Sequence, residues 1–360
     1  MKKTRELLIA AILIFSAVVC IFASGTIGVS VNAALQRCLT AVIPSLFAMI
    51  AVSSLLIRSG SITYAGRFFH KAGRFLFGMD GDIFLIFLFS NIAGYPVGAR
   101  MLLTYYEAGR ITKRETELLE GVCLGAGPSF IYGCIAFQLY HSQNIGLLIS
   151  ISSAASSITA ALILSFFLRK QKPNTPEQST ITFHSAMLPE CISSAGRSIA
   201  EICAAILGFA VLSATLAYTG ILPAAADLLS KLNGTDYLVS AGIICSFLDV
   251  TAIGSLPEND FTLLPVISAL VTFGGGCVFM QLTAIFRGKL SLIPAIVIRV
   301  GTSIISYIIC KILLPFFISG EIVSASLTPH IHSKPSPVPS VILAIMTAMI
   351  FVQYEKSRKA

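Results

Sequence analysis

The hydrophobic positions of this chain form long, nearly uninterrupted stretches instead of the short periodic patterns of soluble helices and strands. A helix needs about 20 apolar residues to cross the hydrocarbon core of a bilayer. Stretches of that kind cover residues 7–29, 35–56, 118–140, 145–168, 199–222, 261–286 and 290–318, and a shorter, weaker one covers 338–354. The pattern predicts an all-α polytopic membrane protein.

Two apolar stretches are interrupted by glycine, proline and polar residues. The first interruption has the sequence FSNIAGYPVGA (89–99), and the second has the sequence FLDVTAIG (247–254). Non-helical backbone at bilayer depth is tolerated only where protein or a water-filled cavity satisfies its polar groups. Paired breaks of this kind in two halves of a chain mark the substrate path of transporters. We therefore predict two re-entrant helical hairpins and a transport function.

Composition agrees with a membrane protein and limits the partners. Hydrophobic residues make up 55% of the chain and charged residues 12%, and the mean hydropathy is +0.85, which excludes an ordinary soluble domain. The net charge of +8 is spread through short connections, so no nucleic-acid partner is expected. The nine cysteines form no metal-binding motif, and no cofactor is expected. The expected partners are membrane lipid and a small-molecule substrate, and homo-oligomerisation is left open.

The basic residues predict the orientation in the membrane. With the amino terminus in the cytoplasm and both broken segments treated as hairpins, most lysines and arginines fall on the cytoplasmic side, including Arg110 and Arg287. Arg37, Lys231 and Lys334 alone fall at or beyond the outer face. This asymmetry is the one that the positive-inside rule describes. A multi-pass protein of the cell membrane is the expectation.

A weak internal repeat predicts the domain organisation. Residues 35–56 align with 199–222, the first broken segment with the second, 127–138 with 273–281, and 145–168 with 290–318. Each unit then has an odd number of crossings, so the second is inverted relative to the first, as in many transporters. The predicted division is an anchor helix at 1–34, a first unit at 35–168, a linker at 169–195, a second unit at 196–318, and an external tail with a weak helix at 319–360. Chance likeness between glycine-rich helices is the alternative.

The segment from 61 to 82 mixes phenylalanines with basic residues, including Phe68 and Phe75 beside Arg67 and Arg74. Such mixing favours a helix lying in the cytoplasmic membrane interface, with the aromatic rings towards the acyl chains. An ordinary basic loop is the alternative.

The first unit contains two candidate substrate-binding motifs. Gly94, Pro96 and Gly98 interrupt the first hairpin, where Ser90 and Asn91 supply uncharged polar groups, and the motif Gly127-Pro128-Ser129 follows later. A helix that starts after such a break presents its positive dipole end and unpaired N–H groups, which favour an anion. A kink needed only for helix packing is the alternative for each motif.

The second unit contains an acid in an apolar segment. Asp249 costs roughly a few kcal/mol there unless it is paired, hydrated or ion-bound, so it could bind a coupling cation or proton, or pair with Arg100 or Arg299. We also expect polar and glycine positions of this unit to bind substrate: Thr251, Gly254, Gly275 and Gln281. In contrast, Glu115, Glu117 and Glu120 are expected to form a solvated helix cap.

These motifs resemble a known family, the sporulation integral membrane proteins of the YlbJ type. The likeness rests on GYPVGA (94–99), GRITKRE (109–115), AGPSFI (126–131), Asp249-Val-Thr251 and FGGGCV (273–278) with Gln281, and it covers roughly residues 35–318. It implies a gate domain similar to that of nucleoside transporters and a role in spore formation. It also implies passage of a small molecule, with the pyridine dicarboxylate dipicolinate as the candidate, across a membrane around the developing spore.

Three other functions are alternatives to this prediction. A nucleoside transporter would use the same architecture. A membrane scaffold for spore cortex or coat assembly would need no intramembrane acid and would need a soluble surface, which this chain lacks. An intramembrane enzyme would need a catalytic constellation such as paired aspartates, Ser/His or His-Glu-x-x-His, and none is recognisable. The chain is therefore expected not to be an enzyme.

Overall fold

The computed structural model describes residues 17–168 and 181–318, together with Glu6, Ala10 and Ile14. These residues form helices joined by short connections, with no β-strand among them. Four helices are long and apolar enough to cross a membrane, namely Gln143–Leu168, Met187–Tyr218, Phe261–Phe286 and Ile293–Ile318, and a bent pair, Leu46–Arg58 with Ser61–Leu76, brings the number to as many as five. The chain is an all-α polytopic membrane protein. Residues 1–5, 7–9, 11–13 and 15–16 of the predicted anchor, linker residues 169–180 and the tail at 319–360 with Lys334 lie outside the described residues.

The first half of the described chain contains a long helix with a π segment inside it, short lateral helices, a broken pair of helices, a second broken pair and one straight span. In order, these are α1 (Ser24–Arg37), α2 (Ile43–Arg58), α3 (Ser61–Gly66), α4 (His70–Leu76), α5 (Gly81–Ala93), α6 (Tyr95–Glu107), α7 (Lys113–Glu120), α8 (Pro128–Phe130) and α9 (Gln143–Leu168). Two π-helical segments occur here, Cys38–Val42 between α1 and α2, and Ile131–Phe137 after α8.

The second half has a comparable order of elements. These are α10 (Met187–Tyr218), α11 (Ile221–Asn233), α12 (Tyr237–Leu248), α13 (Leu264–Phe273), α14 (Gly275–Phe286) and α15 (Ile293–Ile318), with 3₁₀ segments at Val250–Ser255 and Phe261–Leu263. A long helix, a lateral helix, a broken pair, a second broken pair and a straight span thus occur in both halves.

The first helix is continuous where two separate spans were expected. The chain remains helical from Ser24 to Arg58, through the π segment, which is roughly 50 Å at 1.5 Å per residue. Residues 29–35, the predicted connection between spans 7–29 and 35–56, contain no turn-forming Gly or Pro, and Ser30 and Asn32 are their only turn-favouring residues. Arg37 therefore lies in the middle of one long helix, whereas the sequence placed it at the outer end of a span.

The predicted span at 118–140 is divided in the structure. Helix α7 ends at Glu120, residues 121–127 have no helical hydrogen-bonding pattern beyond the first turn, and α8 starts at Pro128. Three glycines within seven residues weaken a helix here, and proline is suited to the first turn of the next helix. The break is longer than the Gly127-Pro128 motif alone indicates.

Helix α10 packs antiparallel to the first helix. The Arg58 guanidinium lies 2.7 Å from the Glu190 carboxylate near one end, and the Cys38 thiol hydrogen bonds to Cys203 further along. The short helices α3 and α4 follow a sharp bend of 76° and leave Phe68 78% exposed. Exposed aromatic rings on a lateral helix agree with an interfacial position.

Candidate functional site

The first broken segment folds back on itself at Gly94. This residue has φ 102° and ψ 166°, a conformation that glycine adopts and other residues avoid. Helices α5 and α6 then pack so closely that a Cβ on Gly98 would lie 2.5 Å from the Cβ of Ser90. Pro96 is buried in the first turn of α6. The predicted hairpin geometry is therefore present at this position.

The hairpin packs against the non-helical segment 121–127. A Cβ on Gly98 would overlap the Cys123 carbonyl oxygen, and a Cβ on Gly125 would lie 2.5 Å from the Cα of Asn91. Gly127 lies against Gly94, with 3.4 Å between its ideal Cβ position and the Gly94 Cα. The structure thus brings together five of the predicted residues of this unit: Ser90, Asn91, Gly94, Gly98 and Gly127.

Some polar side chains of this region form hydrogen bonds within their own helix. The Ser90 hydroxyl donates to the Phe87 carbonyl at 2.8 Å, and the Asn91 amide nitrogen donates to the same oxygen at 2.8 Å. Pro128 and Ser129 are exposed at the start of α8. The Asn91 amide oxygen faces Gly125, so close backbone approach, rather than a polar pocket, explains that glycine.

The second broken segment turns at Asp249. Its backbone is extended, and its carboxylate accepts hydrogen bonds from the Thr251 N–H at 3.0 Å and the Thr251 hydroxyl at 2.8 Å. These bonds cap the 3₁₀ segment Val250–Ser255, because a carboxylate at a helix start satisfies its free N–H groups. Gly242 and Leu256 approach each other on either side of the turn, so this segment also folds back.

The charge partner of Asp249 is Arg37, and neither of the two arginines suggested by the sequence, Arg100 and Arg299, pairs with it in the described structure. The Arg37 guanidinium lies 3.6 Å from the Asp249 carboxylate, with the two side chains 40% and 15% exposed. Arg100 instead shares the Glu201 carboxylate with Arg287, at 3.0 and 2.7 Å. The continuous first helix brings Arg37 to the second break, because no turn diverts the chain before residue 38.

Other elements complete the surroundings of this ion pair. A Cβ on Gly275 would lie 3.0 Å from the Val250 nitrogen, so the break between α13 and α14 touches the start of the 3₁₀ segment. Gly254 lies against the Cys134 sulfur of the π segment. Gln281 is buried, and its amide nitrogen lies 3.6 Å from the Cys277 sulfur, one turn earlier on the same helix α14. Five of the predicted residues meet here: Asp249, Thr251, Gly254, Gly275 and Gln281.

Five thiols lie near the Arg37–Asp249 pair, a feature that the sequence did not predict. Cys38, Cys134 and Cys277 each interact electrostatically with both charged residues, Cys245 interacts with Asp249, and Cys38 hydrogen bonds to Cys203. Within 17–168 and 181–318, no group of three or more histidine, cysteine or acidic side chains has the geometry of a metal site. The thiols therefore form a weakly polar surrounding for the ion pair.

The two regions are linked by Tyr95. Its hydroxyl donates to the Val271 carbonyl at 2.6 Å, and its ring lies against Gly274 in the break between α13 and α14. A helix break leaves carbonyl groups without intrahelical donors, and a phenol hydroxyl can satisfy one of them. The first hairpin and the second broken span are thus joined through one side chain.

The arrangement is suited to binding a small polar or anionic molecule. Its components are an arginine with an ion-pair partner, the free ends of interrupted helices and closely packed glycines that allow backbone to approach a ligand. In comparisons with known proteins, no family model, curated protein or solved structure matches this chain.

Proposed function

We propose that this chain is a transporter that moves a small anionic molecule across a membrane around the developing spore, with dipicolinate as the candidate substrate. Two inverted units, 35–168 and 196–318, would each supply a re-entrant hairpin and a broken span to one central path. The common order of elements in the two halves supports this arrangement, and the likeness to the YlbJ-type proteins supports the sporulation role.

The observation that carries the proposal is the Arg37–Asp249 pair at the second helix break. Charged side chains within apolar segments are costly and usually mark a substrate or ion path. The Arg37 Nε is buried and has no hydrogen-bond partner among the described residues. A guanidinium with an unused donor is a suitable partner for a carboxylate, because its planar fork matches carboxylate geometry.

Dipicolinate fits this chemistry better than an uncharged molecule does. It carries two carboxylates on a planar ring, so arginine and the N–H groups at helix starts can both contribute to binding. Arg37 lies 3.6 Å from Asp249 and balances its charge, so the pair does not repel an anion. The attraction would then come from the N–H groups at helix starts and from the unpartnered Arg37 Nε–H. A nucleoside would instead use the Asp249 carboxylate as an acceptor for its hydroxyl groups.

The test is uptake by vesicles that contain the purified full-length protein. We expect uptake of labelled dipicolinate, and we expect Arg37→Gln to reduce it at least tenfold because the carboxylate partner is lost. Arg67→Gln is the matched control, since Arg67 is an exposed arginine that lies over the Tyr64 ring and away from the site. Uptake of uridine with none of dipicolinate would replace the proposal with nucleoside transport. Uptake of neither molecule would overturn transport of both substrates and favour the scaffold.

A further inference from the structure

A second charged pair lies in the interior, formed by Glu120 and Arg299. Glu120 is 1% exposed and Arg299 is 0% exposed. Both carboxylate oxygens of Glu120 and all three guanidinium nitrogens of Arg299 lack a hydrogen-bond partner among the described residues. The expectation of a solvated cap is wrong for Glu120, because this residue is buried. Glu115 forms the capping box with Thr112, but it too is buried, at 7% exposure.

The backbone brings these two residues to one helix crossing. Gly121 follows Glu120, Ile298 precedes Arg299, and a Cβ on Gly121 would lie 2.6 Å from the Ile298 Cβ. The two charges interact electrostatically without forming a direct ion pair. The absence of a side chain at Gly121 therefore permits the close approach that places an acid and a base in the same interior region.

The other groups that face the pair come from the first hairpin and its neighbour. Tyr95 on α6 and Cys123 of segment 121–127 both interact electrostatically with Arg299, and Cys123 also interacts with Glu120 and hydrogen bonds to Ser90. Helix α9, which also packs near α7, carries no ionisable side chain. Glu120 is thus the one carboxylate among the groups facing Arg299 in the described structure.

The charge balance of this pair determines what it can bind. With Glu120 ionised, the pair is neutral and has no net attraction for an anion. When Glu120 takes a proton from water, the site carries the full positive charge of Arg299, which has five unused N–H donors. An anionic group then restores neutrality and supplies the acceptors. When Glu120 releases its proton to water, the pair becomes neutral again and the anion dissociates.

We propose that Glu120 and Arg299 form a proton-linked anion site, in which protonation of Glu120 frees Arg299 to bind a carboxylate. The inference rests on the proposed anion transport. It assigns the coupling between proton and anion to Glu120 in place of Asp249. Asp249 is held by Arg37 and by two hydrogen bonds from Thr251, whereas the Glu120 carboxylate has no hydrogen-bond partner among the described residues. The site adjoins the first hairpin through Cys123 and Ser90.

The first test is infrared difference spectroscopy of the purified protein between mildly acidic and mildly alkaline buffer. We expect a carboxylic-acid C=O band of a buried group in the wild type, absent from Glu120→Gln and retained in Glu120→Asp. Glu107→Gln is the control, because Glu107 is an exposed acid paired with Lys289. In Arg299→Gln the band should persist in alkaline buffer, since the opposing charge is gone. Identical difference spectra for the wild type and Glu120→Gln would overturn the proposal.

The second test measures protons taken up from a weakly buffered solution when dipicolinate is added. The wild type should take up a proton for each bound anion, Glu120→Gln should bind without proton uptake, and Arg299→Gln should lose binding at least tenfold. Equal proton uptake by the wild type and Glu120→Gln would overturn the linkage. If the wild type does not bind dipicolinate, the proposed function fails, while the infrared band still decides whether Glu120 takes up the proton.

Discussion

At the scale of single residues, the interior charges have unequal surroundings. Arg37 and Asp249 lie 3.6 Å apart, and Thr251 satisfies the carboxylate as well. Glu120 and Arg299 have no side-chain partner in the described part of the chain. Since removal of one member of a buried pair leaves the other charge uncompensated, single substitutions should cost more than double ones.

We therefore expect Arg37→Gln and Asp249→Asn each to lower the free energy of unfolding by about 1–3 kcal/mol, less than for a fully buried pair because Arg37 is 40% exposed. The double variant Arg37→Gln/Asp249→Asn should recover most of the loss. Thermal unfolding in detergent measures the effect. The pairing would be refuted if the two losses simply add, or if Asp249→Asn is rescued by Arg100→Gln instead.

The sequence identified Asp249 but could not identify its partner. Arg37 is 212 positions away in the chain, and the hydropathy pattern placed it at the outer end of a span. The burial of Glu120 could not be predicted, because its neighbours in the sequence KRETELLE (113–120) are mostly charged and are typical of a solvated helix. The signal that could have revealed it is the apolar sequence GVCLGAG directly after it, which places this end of the helix in the interior.

At the scale of elements, the glycines at helix breaks differ in how much space surrounds their Cβ positions. Gly98 allows helix α6 to touch Cys123 and Ser90, whereas Gly127 leaves ordinary contact distance to Gly94. Gly133 in the π segment has open space around its Cβ position. The three positions therefore form a graded series for substitution by alanine.

Gly98→Ala should destabilise the protein by about 1–3 kcal/mol, because overpacking against backbone cannot be relieved by a side-chain rotation. Gly133→Ala should be neutral or stabilising by up to about 1 kcal/mol, owing to the better helix propensity of alanine. Gly127→Ala should lie between them. Thermal unfolding of the three variants gives the order. Equal stability of Gly98→Ala and Gly133→Ala would contradict the close contact with segment 121–127.

The sequence predicted the straight spans and both fold-back points well. The bounds of three observed spans agree with the predicted apolar stretches to within three residues, namely α9, Phe261–Phe286 and α15. Length and composition are sufficient to predict such spans. The fold-back at Gly94 follows from a local conformation that needs glycine. The continuous first helix and the length of the break at 121–127 were not predicted, because tertiary packing decides them. No local turn signal distinguishes two short spans from one long helix.

At the scale of the whole molecule, the connections between helices form two groups, each joined by its own polar contacts. In one group, Lys289 pairs with Glu107, and the Ser291 N–H donates to the Glu117 carboxylate at 2.8 Å. In the other, the Asn259 N–H donates to the Leu139 carbonyl at 2.9 Å. The span Phe261–Phe286 separates the groups by its 26 residues, or about 39 Å. The two groups therefore lie at opposite ends of the bundle.

Cysteine labelling in intact cells tests which end faces the cytoplasm. Cysteines introduced beside Arg110 and Arg287 should be protected together from an external reagent and labelled after permeabilisation, because basic connections remain cytoplasmic. Cysteines at His141 and Glu258, whose side chains lie 3.8 Å apart, should be labelled from outside. A cysteine-depleted background removes the nine native thiols. External labelling beside Arg110 with protection at His141 would invert the orientation, and labelling that separates Arg110 from Arg287 would refute the paired hairpins, since the two connections could then not share one face.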